Sequence, residues 1–365
     1  MDRRRRAYVA CAGIVGIFVL VQLGALALVG PFESAGYQAV EDPDNPVNSL
    51  VYVVAILVMT AVMLAVITFG LAWILRALMV FAGAYIILFV LRIVVPPVVT
   101  VPVGGFGINA LAWLAAAGLG VALWVHPEWY VVDAAGVVMG AAAAGLFGIT
   151  FGLLPALVLL VVLAVYDAIS VYGTEHMLTL ASGVMDLKVP IVLVVPLSLS
   201  YSYLNAEMPD PVADEEEGAG EDGESGERAG DDGDERASAD EETDATGEEP
   251  AEREGDEEAD PLDRNALFIG LGDAVIPTVL VASVAFFAPQ GVPAVDLLGF
   301  PVALPAVTAI VGTHLGLVVL LWMVLKGRAH AGLPLLNGGT IAGYLVGALV
   351  GGLSLVQALG LGPYV

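Results

Sequence analysis

Residues 152–172, GLLPALVLLVVLAVYDAISVY, decide the fold. The run has the length and composition of one membrane-crossing helix, and its only charged side chain is Asp167. A charge inside a bilayer is costly, so an intramembrane aspartate marks a pathway or a catalytic site by default. A second run, NALFIGLGDAVIPTVLVASVAFFA at 265–288, carries Asp273 in the same setting. Two carboxylates in two apolar spans are the minimum machinery of an aspartic acid–base pair, provided that the spans bring them together.

Working outward, similar apolar runs recur at 7–30, 49–70, 73–96, 107–125, 130–149, 299–325 and 333–355. With the two aspartate-bearing runs these make nine expected spans, an all-α polytopic membrane protein. The segment 183–204 contains Asp186, Lys188, Pro190 and Pro196 and is expected to be interfacial or reentrant, not a tenth span. The chain is 58% hydrophobic, yet 39 acidic residues face 13 Lys and Arg. The excess is segregated: residues 207–263 hold 27 of the acids and three arginines. That stretch has almost nothing to bury and reads as a disordered acidic loop. Three parts follow: a membrane part at 1–204 with six spans, the loop at 205–264, and a membrane part at 265–365 with three. The loop's charge excludes a nucleic-acid surface and disfavours anionic lipid. It also fits a high-salt cytoplasm, which suggests a halophilic archaeon. The single cysteine, Cys11, rules out an intrachain disulfide framework, and the histidines lack metal-ligand spacing with the acids.

Arg3 to Arg6 precede the first span and place the N-terminus in the cytoplasm. That span reads as a retained anchor, too long for a secretory signal. Counting from there puts Arg76, the acidic loop, Lys326 and Arg328 inside and the C-terminus outside. The sixth span then runs inward and the seventh outward. At 1.5 Å per residue both aspartates lie roughly 8 to 12 Å from the cytoplasmic edge of the apolar layer. Agreement in depth is what a dyad requires, and it leaves three readings open: a catalytic pair, an ion or solute pathway, or separate structural contacts.

The local sequences add detail. Gly270 and Gly272 flank Leu271 just before Asp273, and their missing side chains allow a backbone to approach the carboxylate. Pro277 frees the carbonyl of Asp273 from its helical bond. Tyr166 offers a ring beside Asp167. The last run begins with Pro334, Leu335 and Leu336, followed by glycines at 339, 343, 347 and 351 that form a helix-packing stripe. His314, inside the eighth run, is expected to be a packed core histidine.

These residues resemble the presenilin and signal peptide peptidase family of intramembrane aspartyl proteases, especially its archaeal members. The family's fingerprint is Tyr-Asp in the sixth span, Gly-x-Gly-Asp in the seventh and Pro-Ala-Leu at the start of the ninth. The matches are Tyr166–Asp167, Gly270–Leu271–Gly272–Asp273 and Pro334–Leu335–Leu336, in order along nearly the whole chain. Leu335 departs from the usual alanine and makes a bulkier wall. The resemblance implies an aspartic endopeptidase whose Asp167 and Asp273 share one proton and activate a water against a scissile carbonyl. The segment 334–336 is implied to hold an unwound substrate near the dyad. Substrates would be transmembrane segments or remnant signal peptides in the lipid bilayer. No cofactor, metal or obligatory partner subunit is implied. The rival reading is an Asp-dependent ion or solute transporter.

Overall fold

A computed structural model describes residues 3–103, 106–173, 192–198, 201–204, 266–289, 291–297, 299–326 and 331–362. The acidic loop, residues 174–182, and residues 183–191 and 199–200 of the segment expected to be interfacial lie outside the described residues.

The first six helices are α1 (Arg3–Ser34), α2 (Val47–Thr68), α3 (Ala72–Val94), α4 (Ala110–Val125), α5 (Trp129–Thr150) and α6 (Leu153–Gly173). After the loop come α7 (Leu271–Phe287), α8 (Leu304–Val324), α9 (Gly332–Val350) and the short α10 (Leu355–Ala358). Among the described residues, seven helices are long and apolar enough to cross a membrane, while α4 and α7 are apolar but shorter.

The shortness of α4 and α7 has a local cause. Three of the expected spans begin with a β-strand in an antiparallel two-stranded sheet. Strand β1 (Thr100–Val103) pairs with β2 (Phe106–Asn109) before α4, and β5 (Ala294–Leu297) pairs with β6 (Phe300–Ala303) before α8. The third sheet is long-range: β3 (Val192–Pro196) pairs with β4 (Ala266–Gly270) across the acidic loop. The run ALFIG at 266–270, expected to open the seventh span as a helix, is therefore extended. A short apolar run suits a strand as well as a buried helix, and here the partner strand decides. Part of 183–204 is likewise a strand, with Leu193 and Val194 fully buried.

Small residues set the helix packing. A Cβ added to Gly312 or Gly339 would overlap the backbone of the facing helix, and one at Gly343 would meet the Thr308 carbonyl, so α8 and α9 run in backbone contact. The glycine stripe is a packing surface, as its spacing implied. Thr313 and Thr340 add a hydroxyl–hydroxyl bond of 2.7 Å across the same seam. Helix α5 is the central post for α7. Gly140 faces Leu271 and Val275, Gly148 faces Ala282, and the Ser283 hydroxyl donates to the Phe151 carbonyl at 2.7 Å. His314 is partly buried, with Nδ1 2.8 Å from the Ile310 carbonyl, which fits a packed histidine.

Candidate active site

Three helices meet where the sequence motifs lie. Asp167 projects from α6 and is 7% exposed. Its Oδ2 accepts a 3.1 Å hydrogen bond from the backbone N–H of Leu333, in the first turn of α9. The first N–H groups of a helix have no partner within it, and the helix dipole places partial positive charge there. Asp167 thus caps a helix other than its own. Nearby, the Ala331 N–H points to the Tyr172 hydroxyl at 3.4 Å, and Pro334 has no N–H to satisfy.

Asp273 arrives by a different route. Expected eight residues into a span, it stands instead in the first turn of α7, which begins at Leu271 directly after β4. Gly270 is the N-cap in extended conformation (φ −63°, ψ 136°), and its N–H bonds the Asp273 carboxylate. That is one half of a capping box, with the third helical residue reaching back to the cap. A Cβ on Gly270 would stand 3.3 Å from Asp273 Oδ2. A Cβ on Gly332 of α9 would stand 3.4 to 3.5 Å from the same carboxylate. Asp273 and Asp167 also interact electrostatically with each other. The start of α9 therefore touches both acids: Leu333 holds Asp167, and Gly332 lies against Asp273.

The remaining motif residues divide. Gly272 is exposed, and a Cβ there would reach only Ile276 at 4.0 Å, so that side of Asp273 is open among the described residues. Leu271 and Leu336 are buried in one core cluster, where they seat α7 and α9. Pro334 is partly buried in the first turn of α9. Leu335 lines a cleft of about 500 Å³ between α8 and α9, beside Gly312, Gly316 and Gly339. Tyr166 is 37% exposed, so its hydroxyl needs no buried partner.

Gly332, Leu333 and Tyr172 were not singled out in the sequence. Leu333 and Gly332 directly precede the proline motif, and a helix start that must donate to a carboxylate was the available signal. Among the described residues no group of three or more His, Cys, Asp or Glu is placed to hold a metal ion.

The sheet is anchored to the same post as α7. Val194 N–H donates to Asp133 Oδ1 of α5 at 2.8 Å. Glu128, at the start of α5, accepts from the Ser202 hydroxyl at 2.7 Å and the Tyr203 N–H at 2.9 Å. Burial first, and then the Glu128 carboxylate, push the Tyr201 hydroxyl above its ordinary range.

The sequence profile described as "Signal-peptide peptidase, presenilin aspartyl protease" matches residues 15–353. Among solved structures, the chain is similar to a presenilin family intramembrane aspartate protease in two crystal forms. For the C222 form the identity is 28% and the TM-score 0.58, covering 93% of this chain and 99% of that one. For the P2 form the identity is 28% and the TM-score 0.55, covering 93% and 97%. No curated protein matches the chain.

Proposed function

The chain belongs to the signal-peptide peptidase and presenilin aspartyl protease family, and from that membership we propose that it cuts peptide bonds inside membrane-embedded segments with Asp167 and Asp273 as its dyad. It is a multi-pass membrane protein and an intramembrane aspartic endopeptidase. One observation carries the assignment of the acids: the first turn of α9 contacts both, through Leu333 N–H on Asp167 and Gly332 beside Asp273.

In the proposed mechanism the ionised member of the pair takes a proton from water, which attacks the scissile carbonyl. The protonated member donates to the carbonyl oxygen and supports the gem-diol. Proton return to the nitrogen then breaks the C–N bond and releases the amine. Both carboxylates are oriented before substrate arrives, one by α9 and one by its own N-cap, so little reorganisation is needed at the moment of reaction.

The substrate must be unwound, because helical peptide bonds are shielded. The geometry supports an extended segment entering past the open side of Gly272, with Pro334–Leu336 and strand β4 beside it. Candidate substrates are single-span membrane proteins and remnant signal peptides, cleaved without an obligatory partner subunit. We assign the N-terminus and the acidic loop at 205–264 to the cytoplasm and the C-terminus to the outside. In that arrangement α4 and α7 cross together with the strands before them, the loop is a spacer between membrane parts 1–204 and 265–365, and water reaches the acids from the cytoplasmic side.

The test is cleavage of a single-span substrate by purified protein in lipid, with Asp167→Asn and Asp273→Asn measured separately. Each variant should lose at least about 10²-fold in rate while keeping its fold, because each removes one proton-transfer group. Mass spectrometry should place the cut inside the span. No cleavage, together with ion or solute flux that depends on both acids, would favour the transporter.

A further inference from the structure

Strands β3 and β4 form a sheet of only two strands, and such a pair is marginal by itself. Yet β4 runs directly into the turn that carries Asp273, with Gly270 opposite Val192 as the last pair. Any slip or tilt of the sheet moves that acid. Something outside the ladder must hold it.

The hydrogen bonds identify the holder. In an antiparallel pair, residues alternate between those that bond across the ladder and those whose main chain points away. Val194 N–H goes to Asp133, so Val194 and its partner Phe268 belong to the second kind. The outward main-chain groups of β3 therefore fall at 192, 194 and 196. Of these, Val194 is taken by Asp133, and Pro196 has no N–H. On the far edge, β4 directs the main chain of Ala266, Phe268 and Gly270 away from β3, and the Gly270 N–H is on Asp273. On the β3 edge a carboxylate takes one N–H and a proline removes another, and the β4 edge leads to the dyad.

Asp133 lies in the second turn of α5, the helix that also seats α7 through Leu271, Ala282 and Ser283. Glu128, five residues earlier, grips Ser202 and Tyr203. Strand and catalytic helix are thus referred to the same rigid element. Gly13 of α1, whose Cβ would stand 3.0 Å from Val195, closes the sheet from another side.

We propose that Asp133 is a positioning residue: by accepting the Val194 N–H it pins the outer edge of β3 to α5 and fixes the register of the sheet against Asp273. The inference rests on the dyad reading above for its catalytic consequence, and its structural half stands alone. The role needs an acceptor at Oδ1, not a proton, which separates it from that of a third catalytic acid.

The experiment has two readouts. Hydrogen–deuterium exchange over 192–196 is measured in the inactive Asp167→Asn background, where no cleavage is required. There Asp133→Ala should speed exchange of this segment by roughly tenfold, as expected for loss of one hydrogen bond, while Asp133→Asn should not. In the active protein, Asp133→Ala should spread cleavage over neighbouring peptide bonds and lower kcat more than it raises KM. Asp133→Asn should restore the single cut. Val194→Pro deletes the same bond from the strand side and should reproduce the alanine pattern even where Asp133→Ala folds poorly. Unchanged exchange and an unchanged cut in both Asp133→Ala and Val194→Pro would overturn the inference. Equal defects in Asp133→Asn and Asp133→Ala would overturn it too. Failure of the wild type to cleave anything would sink the dyad reading and leave the exchange result to judge the anchor.

Discussion

Asp167 sits well inside α6, a continuous helix, whereas Asp273 stands in the first turn of α7 immediately after a strand. The first is placed by a rigid rod, but its hydrogen-bond donor comes from another helix, at Leu333. The second takes its donor from its own cap at Gly270, but its position depends on a sheet closed across the acidic loop. One acid has a firm mount and a borrowed partner; the other has its own partner and an adjustable mount. The start of α9, which touches both, is the place where the two arrangements must agree.

The largest effect should come from moving that start. Gly339 and Gly312 are in backbone contact, and a single methyl at 339 would overlap the opposing carbonyl. Gly339→Ala should push α9 from α8, cost roughly 1–3 kcal/mol of stability, and lower the melting temperature measurably. It should also withdraw Leu333 from Asp167 and Gly332 from Asp273 together, leaving activity near that of the Asp→Asn variants. A variant that melts early yet cleaves normally would show that the acids do not depend on α9.

A smaller effect should separate the two mounts. The φ of −63° at Gly270 already suits proline, so Gly270→Pro deletes the N–H that holds Asp273 without demanding a new backbone angle. The added Cβ crowds Oδ2, and Gly270→Ala, which keeps the N–H, controls for that crowding. We expect the alanine form to lose a few-fold in kcat and the proline form about tenfold more, in line with the loss of one hydrogen bond. Equal activities would mean that the cap bond does not orient the acid.

Much of this junction was legible from residue types. Two lone aspartates in apolar runs, glycines before one and a proline motif near the chain's end identified the three elements that meet. The strand at 266–270 was not legible, because ALFIG has no polar residue to break the tie between periods of two and 3.6. Its partner at 192–196 lies across the acidic loop, and pairing at that separation leaves no local signature. Glu128 and Asp133 carried no signal either. Acids near a helix start read as solvated ends, and only the fold reveals that they receive main-chain N–H groups. The donor to Asp167 lies one residue before the proline motif, so the motif marked the right turn through its neighbours.

The mildest change tests the departure from the family pattern. Leu335 lines the cleft between α8 and α9 and packs at the edge of the core, while Leu336 beside it is fully buried. Leu335→Ala installs the residue that the resembling family usually carries. The lost contacts should cost about 1–2 kcal/mol, below the usual price of a fully buried leucine because part of the side chain is exposed. Neither carboxylate loses its donor, so kcat on a good substrate should stay within about threefold, less than the loss of one neutral hydrogen bond would cause. If the leucine also walls the path of the unwound peptide, the shorter side chain should admit bulkier residues near the scissile bond, visible as a changed product ladder in mass spectrometry. An unchanged ladder would confine Leu335 to the seam between α8 and α9, and would leave substrate choice to the open side of Gly272 and the edge of β4. Either result sharpens the contrast between the two acids: the rigid mount of Asp167 tolerates changes along α9 that keep its helical start in place, whereas Asp273 answers to whatever moves the sheet.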